Sequence, residues 1–63
     1  MRGKELISLL QKNGWTLIRI KGSHHIMKKG KQIEVIPVHD KELPKGLLES
    51  IKKRTGIKLE RRS

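Results

Sequence analysis

Trp15–Pro37 reads WTLIRIKGSHHIMKKGKQIEVIP, and the two glycines inside it decide the fold. From Trp15 to Ile20 the β-branched and aromatic content rises, and Trp15, Leu17 and Arg19 alternate with Thr16, Ile18 and Ile20, so the first run reads as a strand. Lys21-Gly22-Ser23 is a turn, and His24–Lys29 is a second strand. Gly30, between Lys29 and Lys31, supplies a tight hairpin. Gln32–Pro37 then reads as a third strand, with Ile33 and Val35 on one side and Glu34 and Ile36 on the other. Three consecutive strands joined by short turns predict an antiparallel meander.

The flanks read as helices. Leu6, Leu9 and Leu10 fall at i, i+3 and i+4 with Ile7 beside them, while Lys4, Glu5, Ser8, Gln11 and Lys12 occupy the other side. Asn13-Gly14 closes this first helix. Val38–Leu43 reads as a polar connector. Pro44 suits the first turn of a second helix, whose apolar stripe is Leu47, Leu48 and Ile51 and whose end is Thr55-Gly56. Ile57 and Leu59 are expected to tuck a last extended segment against the body, with Glu60–Ser63 as a frayed tail. The expected class is α+β: one domain over residues 1–63, with both helices on one face of the sheet and the other face open to solvent.

Composition narrows the function. A chain of 63 residues buries only roughly 60% of the surface its unfolded form exposes. Its apolar residues are aliphatic apart from one Trp, which is enough for one thin core. Without cysteine there is neither a disulfide framework nor a thiolate metal site. The N-terminal residues lack an apolar signal core and no run reaches membrane-spanning length, so a cytoplasmic protein with no membrane partner is expected. Sixteen Lys plus Arg against six Asp plus Glu, a formal charge of +10, point to nucleic acid, an acidic partner protein, or both.

The candidate chemistry lies in Gly22-Ser23-His24-His25. Adjacent strand residues point to opposite faces, so one histidine looks in and the other out. If Ile26 is the core residue, His25 shares the open side with Met27 and Lys29; if Met27 is the core residue, the register is the opposite one. An outward His25 near Arg19, Lys21, Lys28, Lys29 and Lys31 would be held neutral by those cations, which also attract a phosphodiester backbone. A neutral imidazole beside an RNA phosphate can take the proton of the 2′-hydroxyl, and no metal or other cofactor is needed for that step. The bland alternative is an ordinary hydrogen-bonding histidine in a non-catalytic basic RNA-binding module. His39 reads as a loop residue beside Asp40 and Glu42. No zinc-type ligand spacing, phosphate-binding glycine loop or hydrolytic triad is present.

Leu6–Trp15, Ile20–His25, Ile36-Pro37-Val38-His39, Lys41-Glu42-Leu43 and Lys45-Gly46 together resemble the HicA family of toxin mRNA interferases, over nearly the whole chain through Gly56-Ile57. The resemblance implies a fold like that of double-stranded-RNA-binding domains, a metal-independent endoribonuclease activity on mRNA, and inhibition by a HicB-type antitoxin. It places the catalytic histidine on His25 and makes His24 at most accessory. With it, Arg19, Lys21, Ser23, His24, Lys28, Lys29 and Lys31 are the expected RNA-binding residues.

Overall fold

The stripe of Leu6, Ile7 and Leu10 is buried along its length, and it winds the chain into α1, Gly3–Lys12. Glu5 fixes the entry to this helix: its Oε1 accepts a hydrogen bond from the Arg2 backbone N–H at 2.7 Å. Four elements follow: β1 (Thr16–Lys21), β2 (His24–Lys29), β3 (Gln32–Pro37) and α2 (Lys45–Thr55). In the computed structural model, which describes residues 1–39 and 41–58, the strands form one antiparallel sheet in the order β1-β2-β3. Both helices pack on one face of it. This is an α+β arrangement with the element order of double-stranded-RNA-binding domains. Among the described residues, no helix is long and apolar enough to cross a membrane.

Gly22 and Gly30 make the meander possible. Lys21 pairs with His24 across one two-residue loop and Lys29 reaches Gln32 across the other. The backbone φ is 61° at Gly22 and 62° at Gly30, whereas among the described residues no non-glycine residue has a positive φ. Positive φ at the first loop residue alone is the type II′ pattern, whose twist matches that of the flanking strands. A side chain at either position would strain the turn.

β1 departs from simple alternation. Leu17 pairs with Met27, but the next partner of β2, Ile26, pairs with Arg19, so Ile18 is an extra residue in a β-bulge. Leu17 and Ile20 therefore share the helix side, while Thr16, Arg19 and Lys21 lie on the open side. The expected set of Trp15, Leu17 and Arg19 on one face does not form.

Leu6 and Leu10 of α1, Met27 and Ile36 of the sheet, and Ile51 of α2 are the largest fully buried side chains among the described residues. The core face of β3 is the one that carries Glu34, which is buried as well. Both of its oxygens are held by Arg54 of α2, at 2.9 Å from Nε and 2.8 Å from Nη2. Gln32 Nε2 adds a bond to the Arg54 carbonyl at 3.0 Å. A buried carboxylate is tolerated only when such bonds replace its hydration. Hydrogen bonding first and opposite charge second raise the Arg54 pKa above its usual value. Ile33 and Val35 are left on the open face, about half exposed.

At its other end α1 lies directly on the chain leaving β3. A Cβ added at Gly3 would come within 2.6 Å of the Pro37 carbonyl oxygen, so only glycine allows this approach. An isolated bridge between Arg2 and Glu42 and a bond from Leu43 N to Met1 O at 3.0 Å fasten the connector there. Leu43 is buried, so the connector is less polar in role than its composition suggests. Pro44 precedes α2 as its N-cap instead of opening its first turn. Ile57 packs into the core as expected; Leu59 and residues 60–63 lie outside the described residues.

Leu10→Ala, which empties a fully buried position, is expected to lower the unfolding free energy by about 2–5 kcal/mol in a urea titration. Val35→Thr on the open face is expected to change it by about 0.5 kcal/mol or less.

Candidate functional site

The two-residue period of β2 assigns its histidines. Met27 is fully buried, so His25 shares the helix side with it, and His24, Ile26 and Lys28 share the open side. Across the ladder His25 pairs with Ile20 of β1 and Ile36 of β3, and His24 with Lys21 and Pro37. The outward His25 amid Arg19, Lys21 and Lys28 therefore does not form: those three cations stand with His24 on the opposite face. The alternative register, with Met27 in the core, is the one adopted.

His25 lies at the edge of helix coverage. Ile20, beside it on β1, is 56% exposed, whereas Ile36, beside it on β3, is fully buried, so helix coverage stops short of the β1 edge at this end of the sheet. The ring itself is half-buried, and its Nδ1 is buried with no hydrogen-bond partner among the described residues. The Nε2 edge is the one left to meet a ligand.

The chain on either side converges on this end. The carbonyl of Ser23, in the turn before the histidines, accepts a hydrogen bond from Val38 N at 2.7 Å. Val38 and His39 then line a hollow with Arg2, Lys4 and Glu5 at the start of α1. Arg2 and Lys4, which line this hollow, were not singled out by sequence reasoning, because in sequence they resemble any solvated helix face. The only available signal was Gly3 between them, and its meaning depends on the Pro37 contact. Asp40 lies outside the described residues.

The other expected RNA ligands divide by position. Lys21, Ser23 and His24 are at the His25 end, and Arg19 is mid-strand. Lys28, Lys29 and Lys31 lie toward the far end, with Lys28 about 10 Å and Lys29 about 13 Å along the strand from His25 at the usual strand rise. Lys29 is on the helix face, where its Nζ donates to the Asn13 carbonyl at 2.8 Å. Trp15 is 3% exposed and belongs to the core. As the chain has no Phe or Tyr, the exposed imidazoles of His24 and His39 are the aromatic faces offered for stacking bases among the described residues. Among the described residues, no group of three or more His, Cys, Asp or Glu side chains could hold a metal ion.

The family profile of the HicA toxin of bacterial toxin–antitoxin systems matches residues 3–57. The chain belongs to the HicA toxin family. No curated protein matches it. The matched span takes in both helices and all three strands, so the whole of this HicA fold carries the likeness. As a HicA protein the chain is the toxin of a toxin–antitoxin pair, and an antitoxin is its partner.

An orphaned buried N–H is rarer in folded proteins than an under-used acceptor. The neutral His25 ring in the free HicA chain is therefore expected to carry its proton on Nε2, where water accepts it, leaving the buried Nδ1 as a lone pair. Long-range nitrogen–carbon-proton correlations in the NMR spectrum of the free protein report the tautomer. A dominant Nδ1–H signal would require an acceptor at that buried edge.

Proposed function

We propose that the protein is a metal-independent endoribonuclease that cleaves mRNA with His25 as general acid/base, and that a HicB-type antitoxin holds it inactive. The observation that carries this reading is a half-buried imidazole with one free edge, at the end of the sheet where the turn, the connector and α1 converge, in a chain of the HicA family. Nε2 takes the proton of a 2′-hydroxyl, the resulting oxygen attacks the adjacent phosphorus, and the 5′-oxygen leaves. The products are a 2′,3′-cyclic phosphate and, once the leaving oxygen gains a proton, a 5′-hydroxyl. Water can give that proton; Lys21 and His24 face the other side of the sheet, and Lys29 is too distant.

The base role needs the lone pair on Nε2 and hence the proton on Nδ1. Without an acceptor there, that tautomer is disfavoured by about 1–3 kcal/mol, the usual penalty for an unsatisfied buried polar group. Slow turnover follows. Lys21, Ser23 and His24, with Arg2 and Lys4, would hold the phosphates beside the scissile one, while Arg19, Lys28, Lys29 and Lys31 would hold flanking ones. With no exposed Phe, Tyr or Trp among the described residues, the protein would read phosphate position and shape more than base identity. The cytoplasm, where mRNA is found, is the compartment this activity requires.

The test is a labelled single-stranded RNA incubated in chelator with the parent chain and with His25→Ala. His25→Ala is expected to slow cleavage at least about 100-fold, the lower range for removing a general acid/base, while RNA affinity stays within about twofold, because one imidazole adds little to a charge-driven interface. The lack of an orienting acceptor on Nδ1 favours a second reading, a basic RNA-binding module without catalysis. Binding by both chains with cleavage by neither would establish that module instead.

His24→Ala is expected to keep most of the cleavage rate, since His24 faces away from His25. A loss equal to that of His25→Ala in the same assay would make it a partner in the chemistry.

A further inference from the structure

His25 supplies a base, but its own strand supplies no acid: His24 faces the other side of the sheet and Lys29 stands at the far end. The chain's third imidazole, His39, is brought to the His25 end by the path of the connector. Val38 N–H donates to the Ser23 carbonyl at 2.7 Å, so the chain leaving β3 keeps step with β2 for one residue beyond the ladder. Val38 packs on the core, which is the face His25 occupies. Opposed strand residues lie about 5 Å apart and each step along a strand adds ~3.3 Å, so the Cα of Val38, two steps past the Ile36 that pairs with His25, is about 8 Å from that of His25. His39 is one peptide further on, at most about 12 Å from His25 between Cα atoms. It is exposed, and with Val38 it borders the hollow completed by Arg2, Lys4 and Glu5. That hollow has a volume of 390 Å³, within the range of about 300–1,000 Å³ for sites that take a small organic molecule.

We infer that His39 is the general acid of the cleavage and that the hollow beside it receives the nucleotide on the leaving side of the scissile phosphate. The inference rests on the ribonuclease reading and adds to it the group that completes the proton balance. As the bond from the 2′-oxygen to phosphorus forms, His25 takes the 2′-hydroxyl proton. As the bond from phosphorus to the 5′-oxygen breaks, the protonated His39 ring gives its proton to that oxygen. One ring gains a proton and the other loses one, and exchange with water restores both.

The chemistry of the hollow selects His39 for this part. A guanidinium does not give up its proton in proteins and an ammonium is a far weaker acid than an imidazolium, so Arg2 and Lys4 are suited to holding phosphate oxygens. Imidazole is the side chain that both carries and releases a proton near neutral pH. The carboxylate lining the hollow, Glu5, accepts the Arg2 backbone N–H, and Glu42, further along the connector, is paired with the Met1 amine and Arg2. Asp40 lies outside the described residues.

The test compares two oligonucleotides that carry a single ribonucleotide, one with the normal bridging 5′-oxygen at the scissile bond and one with sulfur there, since a thiolate leaves without needing a proton. His39→Ala is expected to slow cleavage of the oxygen substrate at least about 100-fold and to cleave the sulfur substrate within about threefold of the parent rate. His25→Ala is expected to be slow on both. His39→Gln, which keeps a polar side chain but has no proton to transfer, is expected to repeat the His39→Ala pattern, and circular dichroism establishes that each variant folds. Parental cleavage of the oxygen substrate by both His39 variants would make water the acid and overturn the inference. Equal loss on the two substrates would make His39 a binding or structural residue and overturn it as well. A parent chain that cleaves neither substrate would instead overturn the ribonuclease reading, and the inference with it.

Discussion

Everything about this protein's chemistry depends on the burial of Met27. A strand turns successive side chains to opposite faces, so the placing of one residue in the core places five others: His25 and Lys29 go with Met27, while His24, Ile26 and Lys28 go to the open side. A shift of one residue would exchange the two histidines. The bond pair between Glu34 and Arg54 holds that register from the neighbouring strand. Met27 faces Glu34 and His25 faces Ile36, so anchoring Glu34 under α2 keeps His25 on the helix side.

The elements were legible in the sequence for local reasons. Gly22 and Gly30 sit where the two-residue loops require positive φ, and the leucine stripe of α1 has no extended reading. The faces were not legible. Ile26 and Met27 are both apolar, so β2 offered two equivalent registers. On β3 hydropathy favours Ile33 and Val35 as the buried pair over Glu34 and Ile36. The structure takes the second pair because Arg54, twenty residues downstream of Glu34, supplies the hydrogen bonds that a buried carboxylate needs. The bulge at Ile18 was hidden for a similar reason: it shows only when the pairing with β2 is known.

The candidate site was legible as a residue and not as a surrounding. His25 stood out through its motif, but the cations expected beside it are divided between two faces and two ends of the sheet. Arg2 and Lys4 are brought beside Val38 and His39 at that end of the sheet through the close approach of Gly3 to Pro37. That contact spans more than thirty positions of sequence and leaves no periodic trace. The result is a basic protein whose charge is not one continuous patch, so attracting RNA and positioning its scissile phosphate become separate tasks.

The central claim is that RNA meets the helix side of the sheet at His25. The most direct measurement is an amide chemical-shift titration of the intact chain with an RNA whose 2′-hydroxyls are methylated and which therefore cannot be cleaved. The account predicts that the largest shifts fall on Ser23, His25, Val38, His39 and the first turn of α1, with smaller ones on Ile33 and Val35. Shifts concentrated on Ile26, Ile33 and Val35, with His25 and the start of α1 unmoved, would contradict it.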